Sequence, residues 1–316
     1  MSEPFLIGLV GARGYVGREL LRLIAGHPEL MLAYAISREW AGKSVSEIAP
    51  EQTDACIFEA LDPETAAKRK ADVVILALPD GATDAYLSAL EEHAPNRIVI
   101  DLSADKRFDD GWAYGLPELH REKIKGSKRI ANPGCYATAL QIALAPLVPF
   151  LGGVPAVFGV SGYSGAGTTP TRRNDPKALA DNLMPYKLIG HNHEKEATRH
   201  LGVAIRFMPH VHPAFRGLIT TAHIPLSKSM DLDRVQTLFS NAYANEKMIA
   251  LQEEAPELKQ GSEYQGVIVG GIDVSDDGMN VVVVAAEDNL LKGAAVQAIQ
   301  NLNLALGLEE LSGLSI

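Results

Sequence analysis

Cysteine is scarce in this chain: Cys56 and Cys135 are the two among 316 residues. That is too few for a disulfide framework and fits a reducing compartment, so a cytoplasmic protein is expected. Positive charge is also short. Twenty-nine Lys and Arg stand against 39 Asp and Glu, a formal charge of −10. This balance excludes nucleic acid or an anionic membrane as the main partner, while a local basic pocket remains compatible with it. No basic segment of an export signal precedes the strand-like residues that begin at Phe5. The longest apolar stretch, Ala139 to Val154, is broken by Gln141, Pro146, Pro149 and two glycines, so no membrane span is expected. Internal repeats, low-complexity tracts and long linkers are absent as well. What is there, 47% apolar and 22% charged residues, is a soluble globular composition long enough for about two domains.

One of the two cysteines has informative surroundings. In Asn132-Pro133-Gly134-Cys135-Tyr136-Ala137-Thr138-Ala139, a Pro-Gly turn precedes an apolar segment that predicts a helix over Ala137 to Leu147. Unpaired N–H groups and the positive end of a helix dipole favour thiolate over thiol, which would make Cys135 a nucleophile. The competing reading is a small buried hydrophobe, as most free cysteines are.

The first half reads as a nucleotide-binding unit. Phe5 to Val10 is a short apolar strand, and Tyr15 to Ile24 follows as a helix with Leu20, Leu21 and Ile24 on one side. Between them lies Gly11-Ala12-Arg13-Gly14-Tyr15-Val16-Gly17. Glycines at such a turn let the backbone approach a pyrophosphate, which rests on the helix N-terminus. The spacing is GxxGxxG rather than GxGxxG, so its position after a first strand and before a first helix is the stronger signal. A second strand, Met31 to Ile36, ends in Ser37-Arg38, where an NAD site usually carries an acid. A serine and an arginine suit the 2′-phosphate of NADP; a solvated loop arginine is the bland alternative. Asp72 to Leu78 and Arg97 to Leu102 are continuous apolar runs, as expected of parallel strands covered on both faces. The polar segments that follow them, Pro79 to Gly81 and Ser103 to Arg107, fall where α/β sheets gather ligands.

The second half supplies polar groups. Phe158 to Gly167 runs from a strand into a glycine-serine loop whose N–H groups can hold an anion. In Gly190-His191-Asn192-His193-Glu194-Lys195-Glu196, Asn192 is the expected helix cap and His193 projects from the helix start. Pro209 to Gly217 is an extended segment, with His210 and His212 on one face, ending in a turn at Arg216. Two His-x-His pairs raise the question of a metal, but neither has a third-ligand pattern, and no metal is expected. His200, His210 and His212 read as hydrogen-bonded structural residues. Met279 to Ala286 is a buried strand, and a last helix over Ala294 to Leu306 presents Ile299, Leu302 and Leu306 on one face. The first domain's sheet is its natural docking surface.

Taken in order, GARGYVG, DLSADKR, NPGCYATA, VSGYSGAG, HNHEKE and DNLLKGAAVQAIQNLNLALG resemble the N-acetyl-γ-glutamyl-phosphate reductase family over residues 5 to 310. NPGCYATA with SGYSGAG is specific; the glycine turn and final helix are shared with the wider semialdehyde dehydrogenase group. The resemblance implies an α/β protein with a Rossmann-type doubly wound parallel sheet and an α+β catalytic domain. The expected boundaries are 1–148, with 288–316 packing back on it, and 149–287. It also implies a homodimer or homotetramer that uses NADP(H) to reduce an acyl phosphate to a semialdehyde. Cys135 matches the family's nucleophile, and its HxHxxE element falls on His191, His193 and Glu196. Either histidine is a candidate acid/base, with His193 preferred for its place at the helix start. The cofactor is expected at Gly11, Arg13, Gly14, Tyr15, Val16 and Gly17, with Ser37, Arg38, Ser103 and Asn289. The substrate is expected at Arg107, Asn132, Ser161, Gly162, Glu196 and Arg216. Lys195 replaces a proline common before the family's glutamate, and Pro213-Ala214-Phe215-Arg216-Gly217 departs from its usual Pro-Met-x-Arg-Gly. Aspartate-semialdehyde dehydrogenase, whose cysteine usually lacks the preceding Pro-Gly, and a reductase of carrier-bound aminoadipyl phosphate are the neighbouring alternatives. A non-catalytic NADP-binding sensor is the alternative of a different class.

Overall fold

The computed structural model describes residues 3–52 and 56–315. The chain forms two units, Met1–Pro133 with Ala294–Ser315, and Gly134–Gly293.

The first unit is built on a seven-stranded parallel sheet: β1 (Phe5–Val10), β2 (Leu30–Ile36), β3 (Phe58–Glu59), β4 (Val73–Leu76), β5 (Ile98–Asp101), β6 (Ala113–Tyr114) and β7 (Arg129–Ala131). Their spatial order is β3-β2-β1-β4-β5-β7-β6, so the chain reverses its direction of travel between β1 and β4. The continuous apolar runs have the expected cause. Val73 and Ile75 of β4 enter one core, and Val74 and Leu76 enter another. On the first side lie Leu20, Leu21 and Ile24 of α1 (Tyr15–Gly26) and Ile299 and Leu302 of the C-terminal helix (Val296–Leu306). On the other side lie Ala66 and Ala67 of α2 (Pro63–Lys68) and Ala89 and Leu90 of α3 (Asp84–His93). A further helix, α4 (Pro117–Ile124), contributes Ile124 to the first core.

The second unit carries a mixed seven-stranded sheet: β8 (Ala156–Gly162), β9 (Met184–Pro185), β10 (Arg206–His212), β11 (Leu218–Pro225), β12 (Ile249–Leu251), β13 (Val267–Val274) and β14 (Asn280–Glu287). The order is β12-β13-β14-β11-β8-β10-β9. β8 runs parallel to β10, while β8, β11, β14 and β13 pair antiparallel in turn. Its helices are α5 (Cys135–Leu144), α6 (Pro176–Leu179), α7 (Asn192–Leu201), α8 (Leu232–Tyr243) and α9 (Leu258–Gly261). The apolar α5 is buried along its length from Tyr136 to Leu144 and packs on β11, β14 and α7. It begins at Cys135, two residues before the expected start, and gives way to a 3₁₀ segment (Ala145–Phe150) as Pro146 and Pro149 approach. Gly159 lets β8 pass beneath the Tyr136 and Phe207 rings, which meet at 4.7 Å. A Cβ at that position would lie 2.6 Å from one ring and 2.7 Å from the other.

Candidate active site

Cys135 is the first residue of α5, and Gly134 precedes it in an extended conformation (φ −76°, ψ 149°) with no side chain capping the helix. The N–H groups of the first turn, which begins at the cysteine, therefore have no capping side chain to accept them. The Gly134 N–H itself donates to Glu196 Oε1 at 2.9 Å. Glu196 is fully buried in α7, so this bond fixes the start of the histidine-bearing helix against the start of the cysteine-bearing one. Gly293 closes the other side. A Cβ there would lie 2.6 Å from Cys135 Cβ and 2.9 Å from Glu287 Oε1. The backbone at that point takes a π turn (Leu291–Ala295), a distortion that often accompanies functional sites.

The cap of α7 differs from the expected one. His191, not Asn192, is the N-cap: its Nδ1 accepts the His193 N–H at 3.1 Å, and Asn192 is already helical. An imidazole nitrogen two residues upstream replaces the shorter asparagine oxygen in satisfying that orphan donor. The His191 ring is buried against Tyr136 (6.4 Å), Phe207 (5.5 Å) and Tyr186 (5.6 Å). Burial, reinforced by the charges of Lys187 and Arg173, pulls its pKa down to about 4, so it is neutral at physiological pH. The His193 ring sits 4.9 Å from His191 and 6.0 Å from Tyr136. Tyr136 is anchored in turn, its hydroxyl donating to the His210 carbonyl at 2.9 Å.

Ser161 and Gly162 end β8 beside the turn that carries Arg216. The N–H groups of Gly162, Tyr163 and Ser164 donate to the carbonyls of Gly217, Ala214 and Phe215. The approach is close: a Cβ at Gly162 would lie 2.6 Å from Phe215 O. Asn289 locks the two segments together, accepting from Gly217 N–H (3.0 Å) and donating to Ser164 Oγ (2.9 Å). Arg216 Nε lies 3.5 Å from the buried Asp288 carboxylate, whose pKa is raised by burial and held back by hydrogen bonds and this charge.

In the first unit, Gly11 has φ +84° and passes over the end of β4, where a Cβ would lie 2.1 Å from Ala77 O. Gly17 packs on the same turn, with a Cβ position 2.6 Å from Gly11 O. Only glycines allow this crossing at the point where the strand order reverses. Gly14 caps α1 without a side-chain bond, and no acidic residue occupies the first turn, so the helix start at Tyr15 and Val16 suits an anion. Ser37 is buried with its Oγ accepting the Trp40 N–H, and Arg38 is exposed at the end of β2. Arg13 pairs with Glu39 at 2.9 Å. Ser103 is buried on Asp101, donating to it from both Oγ and N–H. Arg107 is buried too, donating to the carbonyls of Asn132 (2.9 Å) and Leu102 (2.8 Å). The Asn132 amide donates to Ala294 O and accepts from Asn301 Nδ2. These last two residues thus bind their own unit's backbone and C-terminal helix.

Comparison with known proteins decides the family. Residues 6–127 match the semialdehyde dehydrogenase NAD binding domain, and residues 135–289 match the semialdehyde dehydrogenase dimerisation domain. An N-acetyl-γ-glutamyl-phosphate reductase of Xanthomonas campestris pv. campestris is 50% identical over 312 residues, covering 99% of each chain. One from Stenotrophomonas maltophilia is 50% identical over 313 residues, again 99% of each. The chain belongs to the N-acetyl-γ-glutamyl-phosphate reductase family. Its fold is that of solved semialdehyde dehydrogenases. Aspartate semialdehyde dehydrogenase II of Vibrio cholerae superposes with a TM-score of 0.79 at 17% identity, covering 97% of this chain and 99% of that one. The enzyme of Candida albicans, solved with NADP, gives 0.72 at 17% identity, covering 96% and 99%.

Within this reductase fold, the second unit brings together Cys135, His191, His193, Glu196, Ser161, Gly162, Arg216 and Asn289. The glycine turn, Ser37, Arg38, Ser103, Arg107 and Asn132 belong to the first. Sequence reasoning missed Glu194, which accepts from the N–H groups of Gly190 (3.1 Å) and Phe207 (2.8 Å) and so fixes the loop ahead of His191. It also missed Tyr136, Tyr186 and Arg173, because no spacing marks aromatic contacts between distant segments. The family departures sit outside this cluster or on its rim: Lys195 is exposed on α7, and Ala214-Phe215 lies in the turn zipped to Ser164. Glu196→Ala leaves a buried Gly134 N–H without its acceptor. A loss of about 1–3 kcal/mol of stability is expected, read by denaturant titration, with Glu196→Gln retaining most of it.

Proposed function

We propose that the chain reduces N-acetyl-γ-glutamyl phosphate with NADPH to N-acetylglutamate 5-semialdehyde and phosphate, a step of arginine biosynthesis, through a Cys135 thioester. The observation that carries this reading is the Gly134 N–H to Glu196 bond, which sets the His-x-His-x-x-Glu helix against the cysteine helix. Cys135 thiolate attacks the γ-carbonyl, the C–O bond to phosphate breaks, and phosphate leaves with its electron pair. NADPH, when bound, supplies the hydride that reduces the thioester carbon. The resulting oxyanion is steadied by the N–H groups of Cys135 and Tyr136, since that of Gly134 is taken by Glu196. His193 gives this oxygen a proton and takes it back as the carbonyl re-forms and the thiolate departs. His191, already neutral and engaged through Nδ1, is the poorer proton donor and helps position substrate.

The glycine turn and the start of α1 would hold the NADP pyrophosphate, and Arg38 its 2′-phosphate. Arg38→Asp is expected to weaken NADPH binding at least tenfold, roughly the worth of one charge-assisted contact, with little change for NADH. Equal losses for both cofactors in a fluorescence titration would remove Arg38 from that role. A homodimer or homotetramer in the cytoplasm is the assembly we favour; among the described residues no helix is long and apolar enough to cross a membrane.

The reaction is tested in reverse. N-acetylglutamate semialdehyde, phosphate and NADP should generate NADPH absorbance, and aspartate semialdehyde should not. A preference for aspartate semialdehyde would overturn the substrate assignment.

A further inference from the structure

Arg173 belongs to no motif, yet the fold fixes it beside the histidines of the second unit. Its 3₁₀ turn (Arg172–Asn174) is tightly built. Thr171 Oγ1 accepts the Arg173 N–H at 3.2 Å, and Asn174 Oδ1 accepts the Thr171 N–H at 2.7 Å. Asn174 Nδ2 donates to the carbonyls of Gly167 and Thr169, 2.8 Å each, tying the turn to the glycine-serine loop that leaves β8. From this anchor the guanidinium reaches over the Tyr186 ring, 4.9 Å from its centroid. Tyr186 meets the His191 ring edge-on at 5.6 Å, and His191 meets His193 at 4.9 Å. An arginine–tyrosine–histidine stack therefore leads straight to the proposed proton donor.

Electrostatics agrees with that placement. Burial raises the Tyr186 pKa most; the charge of Cys135 adds to the rise and that of Arg173 opposes it, so the tyrosine feels both residues. The same arginine helps keep His191 unprotonated. Two other arginines, of the glycine turn and of the turn beside β8, are paired with carboxylates, Arg13 with Glu39 at 2.9 Å and Arg216 with Asp288 at 3.5 Å. Among the described residues, no carboxylate pairs with Arg173. A planar guanidinium fixed on an aromatic face, half-buried and without a carboxylate of its own fold, is a receptor for an oxyanion.

We propose that Arg173, held on Tyr186, binds an oxyanion of the acyl-phosphate substrate, either its phosphate or its carboxylate. This rests on the reductase reading above, which supplies the substrate's two anionic ends. Arg173 is thus a specificity-determining residue that acts on binding, while Cys135 and His193 act on the chemistry.

The test is the reverse reaction with Arg173→Gln and Arg173→Lys, measuring KM for phosphate and for N-acetylglutamate semialdehyde separately. Arg173→Gln is expected to raise one KM by about 10- to 100-fold, the usual range for a lost charge-assisted contact, with a much smaller change in kcat. Arg173→Lys should recover part of the loss. A rise confined to phosphate assigns the phosphate; a rise confined to the semialdehyde assigns the carboxylate. Both values within twofold of wild type, in a variant with unchanged melting temperature, would overturn the proposal. A second readout does not depend on turnover: phosphate or glutarate should slow iodoacetamide alkylation of Cys135 in the wild type and fail to do so in Arg173→Gln. If the wild type lacks semialdehyde turnover but shows this Arg173-dependent protection, the anion subsite stands and the substrate reading falls. Protection equal in wild type and variant, or absent from both, removes the subsite.

Discussion

Cys135→Ser is expected to bind NADPH normally and to lose reductase turnover by a factor on the order of 10³ or more, as when a covalent nucleophile is removed. A serine hydroxyl at the start of α5 receives the same N–H groups but stays protonated at neutral pH. The substitution is nearly isosteric, so the contact with Gly293 persists and folding should be undisturbed. A steady-state assay beside a cofactor titration separates the two effects. Retention of more than about a tenth of wild-type turnover would rule Cys135 out as the nucleophile. Cys56→Ser serves as the control, since Cys56 lies in the other unit and should leave the rate unchanged.

The second large effect is expected at the paired histidines. His193→Asn should lower kcat by roughly 10²- to 10⁴-fold, the worth of a positioned acid/base, and should remove the limb of the pH–rate profile that falls as pH rises. His191→Asn should act mainly on KM. A ring held near pKa 4 is the neutral imidazole at neutral pH, without the acidic imidazolium proton a general acid needs. The same residue makes a stability prediction. Its pKa is about 4 in the fold against 6.5 when exposed, so the unfolded chain binds more protons between those values. Stability should therefore fall as pH is lowered from 6.5 toward 4, and His191→Asn should flatten that part of the curve. If His191→Asn instead abolished kcat and His193→Asn spared it, the proton role would move two residues upstream.

Much of this site was legible because its parts are local. A glycine that must pass over a neighbouring strand, as Gly11 does above Ala77, is written in the sequence by the strand-turn-helix around it. Continuous apolar runs such as Val73 to Leu76 announced a sheet covered on both faces, and alternate side chains do enter two different cores. The Pro-Gly turn before Cys135 marked a helix start, although the helix opens at the cysteine itself rather than two residues later. Short strands such as Phe58–Glu59 and Ala113–Tyr114 were invisible, because two residues carry no periodicity. The α7 cap was misread for a related reason. Asparagine is the commoner cap, and nothing in the sequence says that the His191 ring will turn its Nδ1 onto the helix start.

The sequence by itself determined the longer strands of the first sheet, the glycine-turn cradle and the cysteine at a helix mouth. Each depends on neighbours within a few residues, where backbone sterics and helix-end chemistry act. Only the tertiary structure decided which distant groups meet. It joined Glu196 to the Gly134 N–H across 62 positions, committed Arg107 to backbone carbonyls, and laid Arg173 over Tyr186. It also drove the His191 pKa down, since burial and the nearby charges exist only once the loop has closed. Such contacts are set by packing between segments far apart in the chain, and packing leaves no spacing rule in the sequence to read.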